Sequence, residues 1–428
     1  MITVMMTVLL GLLAISIPVA AVLATTALVL GHWFSFLNLT PAIGELAWAS
    51  STSFILVAVP LFILLGEILL RSGIAERMYG AMTHWLAWLP GGLMHSNIGT
   101  CTMFAAVSGS SVATAATIGT VAVGEIDRHQ YNERFFLGTI AAGGTLGILI
   151  PPSINMIVYG VLTETSIPQL YLAGFTPGLI LALLFMVTVL IGCLFRPQWG
   201  GKKIKTDWQA RWRTLPDMVP PLIIFCVVIG TIYLGWATPT ESAALGVIIA
   251  LVLAAWRRRL TILMLRDAIE GTMRTTGMVM MILVAAFFLN FVITAIGLTA
   301  KVNAWVFGMG LTPMETLIAV VLFYLILGMF METLSMMVAT VPIITPLIIA
   351  LGFDPVWFGV LIMLLIETAM ITPPVGINLF IVQGVRGRGQ LHDVMIGALP
   401  FVGSLVVMIV LLILFPEIAL WLPELLRK

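Results

Sequence analysis

The chain has 428 residues, 61% of them hydrophobic and 9% charged, and its formal net charge is +1. Soluble domains carry about 25% charged residues, so this balance, with a mean hydropathy of +1.14, excludes a soluble domain and leaves no basic surface for nucleic acid. It calls for a protein that crosses a bilayer many times. The crossings are helices rather than barrel strands, because the apolar stretches do not alternate with polar residues.

A span needs roughly 20 apolar residues. The first stretch, 4–30, precedes any charged residue and lacks the basic start of a secretory signal; it reads as one retained span with a cytoplasmic N-terminus. The second, 52–70, ends at Glu67 with Arg71 four residues on, the spacing of a helical ion pair. The segment "AERMYGAMTHWLAWLP" (75–90) is amphipathic and reads as an interfacial helix, with Trp85 and Trp88 at headgroup level. Stretch 92–124 is interrupted at "AVSGSSVATAATIG" (106–119), where small hydroxyl residues allow close backbone approach and supply oxygen ligands. It reads as a hairpin that enters and leaves on one side. Stretches 135–162, interrupted by "PPSIN" (151–155), and 170–195 complete the first half.

The longest polar segment, "RPQWGGKKIKTDWQARWRTLPD" (196–217), reads as a linker. After it come 217–234 and 239–256, the latter opened by Glu241 as a helix N-terminal acid. A second amphipathic segment (260–277), beside Trp256, reads as another interfacial helix, followed by a span over 276–296. Stretch 314–349 is interrupted near "GMFMETLSMMVAT" (328–340) and reads as a second hairpin. Stretch 355–384 is interrupted by "PPVGIN" (373–378), and 396–422 is the last span.

The two halves echo each other. "ILVAVPLF" at 55–62 answers "ILVAAFFL" at 282–289, "VAT" at 112–114 recurs at 338–340, "PPSIN" becomes "PPVGIN", and "GFTPG" at 174–178 answers "GALPF" at 397–401. The near-constant offset indicates an internal duplication: residues 1–195, a cytoplasmic linker 196–216, and residues 217–428. With both hairpins re-entrant and the linker cytoplasmic, seventeen of the twenty Lys and Arg fall inside, and only Lys301, Arg427 and Lys428 fall outside. The repeats are then inverted, and the C-terminus is periplasmic. The fold class expected is an all-α polytopic membrane protein of two inverted repeats, each with a re-entrant hairpin and a broken transmembrane helix.

Pro151–Pro152 and Pro373–Pro374 each remove two backbone donors and stop a helix inside the membrane. Carbonyls left without helical partners are costly in hydrocarbon unless something coordinates them. A dehydrated cation does so, and the restarted half-helix offers its N-terminus to an anion. Oxygen donors without Cys or His clusters suit a hard cation such as Na⁺. Glu332 is an acid inside an apolar hairpin and so a functional candidate. Glu367, five residues before the second break, either supports the site or packs. Cys101, Cys193 and Cys226 lack metal-ligand spacing and read as small buried residues, and the five scattered histidines define no metal site.

"SGSSVATAATIG", then "GTLGILIPPSINMIVYG", "AGFTPG" and "ITPPVGINLF" together resemble the large membrane subunit of tripartite ATP-independent periplasmic (TRAP) transporters, over essentially the whole chain. The resemblance implies a mobile transport domain that moves elevator-fashion against a scaffold. It also implies a small four-helix membrane partner, a soluble periplasmic binding protein, an organic-acid substrate, and Na⁺-driven uptake across the bacterial cytoplasmic membrane. It places one Na⁺ among Ser108, Ser110, Gly147, Ile150 and Pro152, and a second among Thr333, Ser335, Ala369, Thr372 and Pro374. Substrate is placed between the tips, near Ser110, Ser111, Asn155, Glu332 and Asn378. Glu332 stands where the family often has Asp. A stand-alone sodium/dicarboxylate carrier without a binding protein is the alternative; a channel fits two inverted halves with matched breaks less well. An enzyme has little support, since neither His-Glu-x-x-His nor Gly-x-Ser-x-Gly occurs.

Overall fold

The computed structural model describes residues 1–428 except Lys203, Lys205, Thr206, Arg427 and Lys428. Four of the basic residues counted toward topology, Lys203, Lys205, Arg427 and Lys428, thus lie outside the described residues. The fold is all-helical, with no strand among the described residues. The first half contains α1 (Ile2–Ala14), α2 (Val19–Phe34), α3 (Ala42–Ser51), α4 (Ala58–Arg71), α5 (Ile74–Leu86), α6 (Leu93–Ser108), α7 (Ser111–Ala122), α8 (Gly124–His129), α9 (Glu133–Leu149), α10 (Ile154–Thr163) and α11 (Ile167–Phe195). Helix α12 (Trp208–Thr214) lies in the linker. The second half contains α13 (Val219–Tyr233), α14 (Pro239–Trp256), α15 (Ile262–Ala295), α16 (Leu298–Gly308), α17 (Pro313–Gly328), α18 (Thr333–Ala350), α19 (Pro355–Ile371), α20 (Ile377–Arg386), α21 (Leu391–Leu414) and α22 (Glu417–Leu426).

The helix order runs in two matching series. Helices α6, α7, α9 and α10 begin at 93, 111, 133 and 154, and α17, α18, α19 and α20 begin at 313, 333, 355 and 377. Each series is a helix pair around a short tip followed by a helix pair around a double proline.

Four expectations need correction. Stretch 4–30 is not one span. Helix α1 ends where Ser16 takes φ 61, with Ser16 and Ile17 N–H returning to the carbonyls of Leu13 and Leu12; Pro18 then starts α2, against which α1 packs. The second half has the same joint in a form the sequence advertises: Gly235 at φ 69, then Thr238 and Glu241 closing a reciprocal cap around Pro239. Residues 260–277 are not a separate interfacial helix either. They are the N-terminal half of α15, one helix of 34 residues, about 51 Å long. Stretch 396–422 divides at Phe415–Pro416 into α21 and α22. Finally, Cys226 is exposed on α13, whereas Cys101 and Cys193 are buried.

The core is built on α9 and α19. Every residue of α19 after Pro355 is buried, and so is every residue of α9 from Phe135 on. Such all-round apolar helices have no polar face and belong at a bundle centre. Helix α9 crosses α21 at a glycine pair, where a Cβ on Gly138 would overlap the carbonyl of Gly397. Helix α5 turns 68° from α4 and carries Trp85 edge-on to Trp212 of the linker, at 6.3 Å.

Candidate functional site

At the first break, the carbonyls of Gly147 and Ile148 face Pro151 and Pro152 four residues on, neither of which has an N–H to donate. Ile150 turns extended at ψ 122, Pro151–Pro152 is cis, and α10 restarts after Ser153. The Ser153 hydroxyl is fully buried and has no hydrogen-bond partner. The second break repeats the pattern. The carbonyls of Ala369 and Met370 face Pro373 and Pro374, Thr372 is extended at ψ 125, and Pro373–Pro374 is cis. The environments differ: residues 150–155 are all buried, whereas Thr372 and Pro373 are half-buried and Pro374 is exposed.

The tip of the first hairpin packs directly on the first break. Gly109, at φ 61, makes the turn between α6 and α7, and a Cβ there would stand 2.6 Å from the Pro152 carbonyl oxygen. A Cβ on Gly147 would stand 2.8 Å from the Ser110 carbonyl oxygen and 2.9 Å from Ser111 N. Ser110 caps α7 by accepting from Ala113 N, and the Ser108 and Thr114 hydroxyls lie 3.0 Å apart. Ser108, Ser110, Gly147 and Pro152 are therefore neighbours. At the second hairpin, Gly328 meets the Ala369 side chain. Glu332 caps α18; its carboxylate accepts from Ser335 N at 3.0 Å, Ser335 Oγ at 2.9 Å and Thr333 Oγ1 at 2.8 Å. The hydroxyls of Thr333 and Ser335 are thus committed as donors to Glu332, and their lone pairs stay free.

A cavity of about 380 Å³ lies between the two tips, the start of α10 and the pair α4/α15. Ser108, Ser110, Ser111, Asn155, Glu332 and Thr333 line one side; Gly66, Glu67, Thr275 and Met278 line the other. Among the described residues no Lys or Arg side chain lines it. Ser111 also reaches Met370 Sδ at 3.0 Å, tying the first tip to the second interrupted helix. Asn378 stands apart: it is fully buried in α20, and its amide donates to the Ala141 carbonyl of α9 at 3.1 Å.

Sequence reasoning did not reach the far wall. Glu67 is paired with Arg71, as its spacing suggests, yet it also lines the cavity. Thr275 lies in the segment read as interfacial, and Met278 in the stretch read as the following span. No local signal could place them, because their role depends on how α15 packs. Among the described residues no group of three or more His, Cys, Asp or Glu could hold a metal ion.

Two hairpins, each packed on an interrupted helix, with their tips and the start of α10 around one cavity, are the architecture of a membrane transport protein. The chain belongs to the family described as "Tripartite ATP-independent periplasmic transporter, DctM component", whose model matches residues 6–418, and it is a large permease subunit of that kind. It is 30% identical to the C4-dicarboxylate TRAP transporter large permease protein DctM of Vibrio cholerae, over 97% of this chain and 96% of that protein. It is 32% identical to the ectoine TRAP transporter large permease protein TeaC of Halomonas elongata, over 99% of each. Among solved structures, the Alcanivorax borkumensis YdaH transporter superposes with a TM-score of 0.62 at 16% identity, covering 93% of this chain and 96% of that one. That likeness speaks to the fold alone.

Proposed function

We propose that the chain imports an organic acid across the bacterial cytoplasmic membrane by Na⁺ symport, as the large subunit of a binding-protein-dependent carrier. The observation that carries this reading is the shared cavity: hydroxyls of the first tip, the carboxylate of the second tip and the N-terminal turn of α10 converge on one space. Hydroxyls, an amide and a half-helix N-terminus suit a carboxylate.

The donor chemistry fits a hard monovalent cation. Each break leaves two carbonyls whose partners four residues on are prolines without an N–H, although that of Ala369 accepts from Thr372 N at 3.4 Å, and the Ser153 hydroxyl at the first break has no partner among the described residues. Ser108, Ser110, Gly147, Ile150 and Pro152 would hold one Na⁺. Thr333, Ser335, Ala369, Thr372 and Pro374 would hold the other. The bound ions would neutralise break carbonyls and couple the sodium gradient to uptake. The chain's own residues do the rest. The tips exclude lipid, Glu332 fixes the start of α18, and Gly109 and Gly147 keep the first tip in backbone contact with its break.

The matching helix order supports two inverted repeats joined by residues 196–216. The hairpins and interrupted helices form the moving body in this reading, and α4 and α15 belong to the scaffold against which it travels as an elevator. Inversion bears on the ends of the chain. Since α1 and α2 correspond to α13 and α14, they make two crossings, which moves the N-terminus to the periplasmic side and leaves the C-terminus periplasmic. A small four-helix membrane subunit and a soluble periplasmic receptor complete the carrier. The test is uptake into vesicles that hold this chain and the small subunit. Uptake that needs both the receptor and an inward Na⁺ gradient supports the reading. Uptake by this chain alone, without receptor, favours a self-sufficient carrier.

A further inference from the structure

A second cavity, of about 600 Å³, lies beside the linker and shares no lining residue with the one between the tips. Ligand pockets commonly span about 300–1,000 Å³. Three segments enclose it: the loop from α5 to α6 (87–92), the end of α11, and the 3₁₀ turn Pro197–Gly200 with Gly201, Lys202 and Ile204. Part of its wall is bare backbone. A Cβ on Gly200 would stand 3.3 Å from Gly91 N, one on Gly201 2.9 Å from the Tyr131 ring, and one on Gly92 2.5 Å from Tyr131 Oη. Tyr131 Oη accepts from Leu93 N at 2.9 Å. The linker is thus fixed on the base of the first hairpin, and the space beside it stays open.

The cavity is electropositive. Lys202 and Arg211 line it, and among the described residues no Asp or Glu does. Residues 196–213 carry six Lys or Arg against one acid, Asp207. Lys202 is exposed and makes no ion pair among the described residues. Arg211 is held at the wall: its Nε donates to the His84 carbonyl at 3.0 Å, and its guanidinium lies 4.7 Å from the Trp208 ring centre. Glu125, on nearby α8, is engaged by Arg128 and His129.

The surroundings are aromatic and apolar. Trp88 lines the cavity and is exposed, and Trp208 and Trp212 are exposed on α12 beside Arg211. Tryptophans in such belts sit at headgroup level. Leu179, Leu183, Val187, Ile191 and Leu194 are exposed at steps of three or four along α11, one continuous face that enters the cavity at Leu194. A soluble phosphate would use the cations and leave this face bare. An apolar partner helix would use the face and leave the cations bare. A phospholipid with a negative headgroup uses both.

We propose that this cavity binds an anionic phospholipid of the cytoplasmic leaflet, with the phosphate between Lys202 and Arg211 and the acyl chains along the exposed face of α11. The leaflet rests on the cytoplasmic linker of the proposed function; the binding chemistry does not depend on sodium coupling. The cavity joins the loop leading into the first hairpin to the segment linking the two halves, so the bound lipid braces the linker against the hairpin base.

The test is native mass spectrometry of the purified full-length chain, titrated with equal amounts of phosphatidylglycerol and zwitterionic phosphatidylcholine. Wild type is expected to retain phosphatidylglycerol at least about fivefold over phosphatidylcholine, and K202Q/R211Q to lose at least about tenfold in that binding. The charge-matched control R258Q/R274Q, at two exposed residues outside the cavity, is expected to stay within about twofold of wild type. If the double variant fails to fold, K202Q alone is expected to lose about fivefold. An equal loss in the control reduces the effect to general surface charge and overturns the proposal. So does a folded K202Q/R211Q that still prefers phosphatidylglycerol. Displacement of the lipid by millimolar inorganic phosphate assigns the cavity to a soluble anion, and a helix of the small subunit seated in it in the assembled carrier assigns it to protein contact; either overturns the lipid. If uptake proves independent of Na⁺, the proposed function fails while the lipid measurement, made without transport, still stands.

Discussion

Gly147 and Ser110 are in backbone contact: a Cβ on Gly147 would lie 2.7 Å from the Ser110 carbonyl carbon. Real Cβ contacts do not come so close to a backbone that cannot swing away, so Gly147→Ala is expected to pry the first tip from its break. Uptake should fall at least about tenfold and the melting temperature should drop by several degrees. Gly80→Ala, where nothing lies within 4 Å, should leave both unchanged. Thermal melts and initial uptake rates on the two variants check this.

Glu332 combines a structural and a proposed functional role, and substitutions separate them. Its carboxylate accepts three hydrogen bonds at the start of α18, so Glu332→Ala should cost about 1 kcal/mol as a lost cap and abolish uptake. Glu332→Asp retains a good capping residue and should restore most of the melting temperature. Uptake that stays low in the Asp variant assigns the extra methylene to the cavity; full uptake assigns Glu332 to the cap.

Arg386 binds the interrupted helices to the core. Its side chain is 4% exposed and bridges Glu133 at 2.8 Å and Asp393 at 3.3 Å, joining α20 to α9 and α21. Arg386→Met leaves two carboxylates without their shared cation and should cost about 2 kcal/mol, between the values for exposed and buried pairs. Chemical or thermal unfolding of the purified variant measures it.

Nearby, the hydrogen bond from Arg388 to Asp127 at 2.7 Å holds the Asp127 carboxyl below the usual carboxylate range. A depressed carboxyl contributes stability that is present above its unfolded pKa and lost as pH falls through the folded value. The difference in melting temperature between wild type and Asp127→Asn should thus be present at neutral pH and shrink progressively as pH falls below about 4. A difference that grows on acidification would contradict the assignment.

The joint at Ser16 predicts the location of the N-terminus. A cysteine introduced at Thr3 should react with a membrane-impermeant thiol reagent added to intact spheroplasts, whereas one at Arg213 in the linker should react only after lysis. A reversed pattern would return the N-terminus to the cytoplasm.

Much of the site was legible because proline leaves a signature that no packing can erase: Pro151–Pro152 and Pro373–Pro374 break their helices where the sequence says they must. The hairpins were legible through "SGSS" and Glu332. The joint inside 4–30 was hidden because Ser16, not glycine, takes the left-handed conformation, so only Pro18 hinted at it. The continuity of α15 was hidden because an amphipathic half running into an apolar half looks the same whether or not the helix bends. The exposure of Cys226 and the withdrawal of Asn378 against Ala141 depend on which face of a helix meets a neighbour. So does the difference between a buried first break and a half-open second one, and one sequence does not state it.

The central claim is that oxygens freed by the two breaks hold the ions that drive uptake. The most direct test is substrate-coupled ²²Na⁺ flux, measured beside substrate uptake in vesicles containing the complete carrier. At least two Na⁺ should enter with each substrate molecule, one for each break. Substrate entry with no accompanying ²²Na⁺, at an unchanged rate when K⁺ replaces Na⁺, would contradict it.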